Sequence, residues 1–75
     1  MATFDIIIAD AISLAYTEEY PSIEIARDAT VRAAIKMMLE SPSHKGGRIA
    51  DCAVVDHDGS QERSFTVALS ILDYV

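Results

Sequence analysis

One cysteine and a nearby histidine are the residues of this sequence that could serve as a nucleophile and its base. Cys52 is the only cysteine among the 75 residues, and His57 follows it five positions later. On a strand, residues five apart point to opposite faces, and no strained turn or helix N-terminus stands nearby to lower the thiol pKa. The spacing therefore predicts an inert, half-buried cysteine, and we expect the protein not to be an enzyme.

A cluster of carboxylates in the segment DHDGSQE, residues 56–62, is the pattern nearest to a metal site. An EF-hand calcium loop needs glycine at its sixth position, whereas Gly59 is the fourth residue of this segment. Asp58 followed by Gly59 is instead the dipeptide that a type I′ hairpin turn prefers. We therefore predict a hairpin turn here, with no metal site and no cofactor.

Charge is sorted along the chain in three blocks. Residues 1–26 and 49–75 carry net charges of −5 and −4, whereas residues 27–48 carry +3. The glycines and cations of SHKGGR, residues 43–48, do not match a P-loop, which leads into a helix rather than away from one. A pI of about 4.5 and the lack of aromatic residues among the cations argue against nucleic-acid binding. A nucleic-acid binder is thus only a third interpretation, resting on Arg27, Arg32, Lys36, Lys45 and Arg48.

The length and composition predict one small domain spanning residues 1–75. Apolar residues make up 51% of the chain, enough for a core, although a domain this small has little stability to spare. One cysteine cannot form an intramolecular disulfide. The apolar N-terminus is interrupted by Asp5 and Asp10 and has no basic region before it, so it does not resemble a signal peptide, and no run is long enough to cross a membrane. We expect a cytoplasmic protein.

The first half of the chain predicts two strands followed by a helix. Residues 3–17 alternate between large apolar and small or polar side chains, which favours a long strand with a bulge or bend at Asp10, although a helix is an alternative. Residues 18–22 predict a turn, and residues 23–25 a short second strand. A helix is expected over residues 29–40, with Asp28 as its N-cap. Its predicted apolar stripe comprises Val31, Ala34, Ile35, Met38 and Leu39.

Residues 48–75 predict a β-hairpin. With the turn centred on Asp58 and Gly59, Cys52 lies opposite Phe65, and Ala50 lies opposite Val67. Small residues of the third strand then meet large residues of the fourth, which supports this register. Val54 would lie opposite Arg63.

The resulting architecture is an α+β fold of the order ββαββ, an antiparallel-rich sheet with one helix on one face. The alternative is ααββ, if residues 3–17 form a helix. The face of the sheet away from the helix would be flat, weakly apolar and uncovered, and such surfaces often bind partners. The residues expected to provide a self-association face there are Ile7, Ala9, Ala11, Ala68 and Leu72, and Ala15 would lie beside them.

Acidity offers a second candidate surface. Small size, excess negative charge and the lack of motifs resemble phage-encoded inhibitors of host defence, the anti-CRISPR proteins that imitate DNA; the likeness is one of composition and carries over no residues. It implies a non-catalytic protein that binds a basic protein partner and inhibits or regulates it, in the host cytoplasm if phage-encoded. The alternative is a structural or antitoxin-like homo-oligomer, such as a homodimer. The expected partner-binding residues are Glu18, Glu19, Tyr20, Glu24, Asp56, Asp58 and Glu62.

Overall fold

A computed structural model describes residues 1–10, 13–40 and 47–70 of the chain. These residues form β1 (Ala2–Ala9), β2 (Ser13–Tyr20), α1 (Ile23–Glu40), β3 (Gly47–Asp56) and β4 (Glu62–Ser70). The strands make one antiparallel sheet in the order β2-β1-β3-β4, and α1 covers one face of it. The predicted α+β fold and its ββαββ order are therefore confirmed. The one described helix, α1, is not long and apolar enough to cross a membrane.

The first two strands differ from their predicted boundaries. The segment expected to be one long strand is a hairpin, in which Ile6 lies opposite Tyr16 and Ile8 lies opposite Leu14. Asp10, where a bulge or bend was expected, follows directly after β1 in a bend between the two strands. The segment therefore does not continue as a strand through Asp10, because the chain reverses there.

The helix begins six residues earlier than the sequence predicts. Residues 23–25, expected to be a strand, form its first turn. Ser22 is the N-cap, because its hydroxyl oxygen accepts a hydrogen bond from the backbone N–H of Ile25 at 3.2 Å. Asp28 therefore lies inside the helix, where its carboxylate contacts Arg27 instead of capping the end.

The core lies between α1 and the sheet, and the buried residues of the sheet come from β1, β3 and β4. Phe4, Ile6 and Ile8 of β1 are buried, as are Ala50, Cys52 and Val54 of β3 and Val67 of β4. The small residues of β3 leave room for the helix to approach the sheet. Large side chains of the first and last strands thus meet the helix.

The buried stripe of α1 is shifted from the predicted one. The side chains of Ala34 and Met38 are buried as expected, but that of Leu39 is 57% exposed, so its predicted place in the core is wrong. The earlier start of the helix adds residues to the stripe that were not predicted, at helical spacing: Ile23, Ala26 and Thr30. Thr30 is fully buried. Its hydroxyl donates a 2.8 Å hydrogen bond to the carbonyl oxygen of Ala26, and this bond offsets the cost of removing the hydroxyl from water.

The predicted register of the C-terminal hairpin is confirmed, although its turn is of a different type. Cys52 lies opposite Phe65, Ala50 opposite Val67 and Val54 opposite Arg63. A type I′ turn needs positive φ at both Asp58 and Gly59, but among the described residues only Gly59 has it, at 79°. The Gly59 N–H donates to the Asp56 carbonyl at 2.7 Å, and the loop spans residues 57–60.

Candidate protein-binding surface

The register of the sheet brings the predicted acidic residues to one end of the molecule. Glu18 of β2 and Asp56 of β3 both lie opposite Phe4 of β1, so two strand spacings, about 10 Å, separate their backbones. The loop between β3 and β4 is at this end, because the His57 N–H donates to the Thr3 carbonyl at 2.8 Å. We call this region the acidic end; its residues are Asp5, Glu18, Glu19, Glu24, Asp56, Asp58 and Glu62.

Two carboxylates of the acidic end are held by the loop that carries them. The Asp56 carboxylate accepts hydrogen bonds from the Asp58 N–H and the Ser60 hydroxyl, both at 3.3 Å. The Asp58 carboxylate accepts one from the Ser60 N–H at 2.8 Å. Hydrogen bonds from Ser60 hold the pKa of Asp58 below its ordinary value. These hydrogen bonds hold the two carboxylates in place, and the lowered pKa of Asp58 favours its charged form.

Tyr20 joins the acidic end to the core. Its ring is half-buried and lies 6.4 Å from that of Phe4 between centroids, tilted by 44°. Its hydroxyl donates a hydrogen bond to the Glu18 carboxylate. Burial, then the bond to Glu18 and its charge, raise the pKa of Tyr20 to about 12. Tyr20 is therefore a neutral, oriented aromatic group beside the acidic residues.

Two arginines near the acidic end are already engaged. Arg63 forms an ion pair with Glu24 at 3.7 Å, and both side chains are largely exposed, so the pair contributes little stability. The Arg27 guanidinium lies 5.1 Å from the centroid of the Phe65 ring and contacts Asp28 at 3.3 Å.

Glu19 and Glu62 are the carboxylates of this region that are most open to a partner. Both side chains are exposed, and within residues 1–10, 13–40 and 47–70 neither forms a hydrogen bond or ion pair. They lie on the edge strands β2 and β4, on the face of the sheet away from α1. Neutralising them would remove charge without breaking a contact of the fold.

Asp5 belongs to the acidic end but was not among the predicted residues. Its carboxylate accepts a hydrogen bond from the Thr17 hydroxyl at 3.0 Å and lies 3.4 Å from Nδ1 of His57. The alternation of residues 3–17 would put Asp5 on the outer face of a strand. Only the hairpin between β1 and β2, which the sequence did not reveal, places it beside Thr17.

The face of the sheet away from α1 contains the residues predicted for self-association that the structure describes. Ile7 is 44% exposed and lies between Ala15 of β2 and Ala53 of β3. Ala9 and Ala68 are on the same face, whereas Ala11 and Leu72 lie outside the described residues. Polar side chains there pair across strands, as where the Thr66 hydroxyl donates to the Asp51 carboxylate at 3.2 Å. The described part of this face has mixed polarity and contains a shallow depression beside Ile7, Asp51 and Thr66.

Cys52 and His57 lie on opposite faces of the sheet, as their spacing predicts. Cys52 is 5% exposed beneath α1, and burial raises its thiol pKa. His57 is exposed and faces Asp5 on the other side. Across the described ranges, no three His, Cys, Asp or Glu side chains stand close enough to hold a metal ion.

Three of the predicted basic residues, Arg27, Arg32 and Lys36, lie on α1. Arg32 and Lys36 are exposed and, with Ile35, Leu39 and Glu40, line a shallow groove on the outer surface of α1. Lys45 and the side chain of Arg48 lie outside the described residues.

Comparisons of the chain with protein-family models, with curated proteins and with solved structures find no match.

Proposed function

We propose that this protein is a small, non-catalytic binding module whose acidic end docks on a basic surface of a partner protein and inhibits or regulates that partner. The observation that carries the proposal is the convergence of carboxylates from β1, β2, α1, β3 and β4 on one end of the fold. These residues are dispersed over the sequence, and the hairpins bring them together.

The chemistry of the acidic end is complementary to the surface with which a partner protein binds nucleic acid. Carboxylates accept the same charge-assisted hydrogen bonds from Arg and Lys that phosphates accept. Asp56 and Asp58 are held by the loop, and Tyr20 is held by Phe4 and Glu18, so ordering them costs little entropy on binding. Tyr20, beside Glu18 on the edge strand β2, would supply an aromatic contact of the kind enriched in binding hot spots.

The proposal extends to the class of protein and its location. An acidic surface that occupies a phosphate-binding groove is what a DNA-imitating inhibitor of the anti-CRISPR kind would need. Such a protein acts in the cytoplasm, that of an infected host if it is phage-encoded. The buried, unpaired Cys52 is compatible with that reducing location.

A homo-oligomeric, antitoxin-like subunit is the second candidate function. It is favoured by the uncovered sheet face, where Ile7 and Ile49 are 44% and 63% exposed. The two functions differ in their response to salt. Docking through carboxylates weakens as ionic strength rises, whereas association of apolar surfaces does not.

The test is displacement of labelled DNA from a panel of basic, nucleic-acid-binding proteins, followed by fluorescence anisotropy at low and high salt. We would compare the double variant Glu19→Gln/Glu62→Gln with a charge-matched control, Glu40→Gln/Asp51→Asn. Both doubles remove two negative charges. Glu40 and Asp51 lie away from the acidic end, and an Asn at position 51 can still accept the Thr66 hydrogen bond.

The expected result is salt-sensitive displacement that the acidic-end double weakens by about tenfold, equivalent to about 1.4 kcal/mol. The control double should change it by less than about threefold, since net charge alone acts through a screened field. Equal weakening by both doubles would show that only overall charge matters. Displacement of DNA from none of the panel would count against the proposal as a whole.

A further inference from the structure

The two edge strands of the sheet, β2 and β4, offer different backbone groups to their surroundings. In an antiparallel ladder, alternate residues direct both N–H and C=O to the same neighbouring strand. The Asp56 N–H donates to the Gln61 carbonyl at 2.9 Å, so these two residues form a hydrogen-bonded pair. Every second pair along the ladder is then also hydrogen-bonded: Val54–Arg63, Cys52–Phe65 and Ala50–Val67. The residues of β4 whose backbone N–H and C=O groups point outward are therefore Glu62, Ser64, Thr66, Ala68 and Ser70.

The same reasoning gives the outward residues of β2. The His57 N–H donates to the Thr3 carbonyl, so odd residues of β1 bond to β3 and even residues bond to β2. Tyr16 and Leu14, opposite Ile6 and Ile8, then bond to β1. Ala15 and Thr17 direct their backbone groups outward from β2.

Both edge strands carry two charges at the acidic end, Glu18 and Glu19 in β2 and Glu62 and Arg63 in β4, but the uncharged run of β4, residues 64–70, is longer than that of β2, residues 13–17. Glu18 and Glu19 stand at the end of β2, and Pro21 follows directly. Charges and proline are the devices with which proteins protect an open edge. Residues 64–70 of β4, SFTVALS, contain no charge and no proline, and they are rich in residues that favour strands. Such a segment pairs readily with an identical one.

We infer that β4 pairs edge to edge with β4 of a second copy of this chain, antiparallel and centred on Val67, so that the two sheets become one. This register sets the outward residue Thr66 opposite Ala68 of the second copy, and Ser64 opposite Ser70. Among pairs in which both residues are described, the backbone hydrogen bonds across the junction then come from the uncharged segment. Thr66 and Ala68 both direct their backbone N–H and C=O groups outward. When they lie opposite each other, the N–H of each residue can therefore donate to the C=O of the other.

Side chains on the helix side support the same register. Phe65 and Leu69 of β4 are only partly buried against the core. In the inferred pairing, Phe65 of one copy lies opposite Leu69 of the other, and Val67 lies opposite its own counterpart. Aromatic–aliphatic pairs across strands are stabilising.

Charge is compatible with this arrangement. The twofold axis through Val67 sends the acidic ends of the two copies to opposite ends of the joined sheet. Like charges are therefore not brought together, even though each chain carries a net −6. Pairing through the uncharged run of β2, residues 13–17, would give a shorter junction. This inference is independent of the function proposed for the acidic end.

The first measurement is the solution mass of the full chain by light scattering from micromolar to millimolar concentration, at low and high salt. We expect a salt-insensitive dimer of twice 8.2 kDa. The variant Ala68→Pro removes an outward N–H without touching a β3–β4 bond. It should raise the dimer dissociation constant at least about tenfold, since two hydrogen bonds per dimer are lost. Ala15→Pro makes the matching change on the β2 edge and should leave the dimer intact.

Amide hydrogen exchange tests the pairing without any substitution. The N–H groups of Thr66 and Ala68 should become protected as protein concentration rises, whereas those of Ala15 and Thr17 should exchange freely throughout. Circular dichroism of both proline variants checks that the fold survives. A monomer at millimolar concentration, or a dimer in which the amides of Thr66 and Ala68 exchange as freely as those of Ala15 and Thr17, would overturn the inference.

Discussion

Replacing the helix cap gives a decisive test of where α1 begins. Ser22→Ala removes the hydroxyl oxygen that accepts the Ile25 N–H, and the change should lower the free energy of unfolding by about 1 kcal/mol. For a domain of this size, that corresponds to a fall in the melting temperature of roughly 4–8 °C. Ser22→Asp should restore the cap, because its carboxylate can accept the same bond and also favours the positive end of the helix.

Asp28→Ala is the matched comparison, since the sequence alone marks Asp28 as the cap. Within the part of the chain that the structure describes, its carboxylate forms a hydrogen bond or ion pair only with Arg27, at 3.3 Å, and both side chains are about half exposed or more. Such a pair contributes about 0–1 kcal/mol, and Ala is the better helix former, so the change should be close to neutral. Urea denaturation, followed by far-ultraviolet circular dichroism, measures the free energy of unfolding of both variants. A larger loss for Asp28→Ala than for Ser22→Ala would refute the assigned helix start.

Three further predictions concern the turn, the core and the tyrosine of the acidic end. Gly59→Ala should cost about 1–2 kcal/mol in thermal or urea unfolding, because φ is +79° and the added Cβ would meet no atom within 4 Å, so the cost is that of the backbone alone; Gly59→Asn should cost less. Met38→Ala should cost about 2–5 kcal/mol, since Met38 is fully buried, whereas the adjacent Leu39→Ala, at a largely exposed position, should cost under about 0.5 kcal/mol; similar losses in urea unfolding would contradict the assigned helix face. The raised pKa of Tyr20, about 12 against 10.0, favours its neutral form in the fold, so its stabilising contribution is complete below pH 10 and lost as the pH rises towards 12; Glu18→Gln should lower the pKa in an absorbance or NMR titration without abolishing the shift, because burial is its largest cause.

The hairpin of β1 and β2 shows why an alternating pattern can conceal a turn. In every pair between β1 and β2 the two residue numbers are both odd, as in Ala9–Ser13, or both even, as in Ile6–Tyr16. The inward-facing positions therefore keep the same parity on both sides of the turn. The alternation of large and small residues runs through without a change of phase, and Asp10 is the only residue that marks the break. The pattern correctly predicted strand conformation for this segment, but it did not show that the segment contains two strands.

The C-terminal hairpin shows the opposite case, in which a wrong turn type left the register correct. A two-residue loop at 58–59 and a four-residue loop at 57–60 have the same centre. Cys52 therefore lies opposite Phe65 with either loop. The start of α1 was missed for a different reason: Ile23, Glu24 and Ile25 are too few to distinguish a period of two from one of 3.6. Ser22 was a detectable cap, but Asp28 matched the same rule equally well.

The candidate site could be predicted as a list of residues but not as a surface. Its acidity is evident from composition, whereas its convergence depends on the β1–β2 turn and on the true start of α1. The convergence of Glu18, Glu24 and Asp56 follows only once both elements are placed. The same is true of Asp5, which becomes part of the acidic end through Thr17 and His57.

The two proposed surfaces occupy separate parts of the fold, and this separation makes each a control for the other. The β4 junction uses residues 64–70, whereas the open carboxylates Glu19 and Glu62 lie outside that segment. Ala68→Pro should therefore release the dimer and leave DNA displacement per chain unchanged, while Glu19→Gln/Glu62→Gln should do the reverse. A dimer would present its acidic ends at opposite extremes of one sheet, so that two partner molecules could bind without contact. If either variant abolished both properties, a shared surface or a loss of folding would be the explanation, and circular dichroism would decide between them.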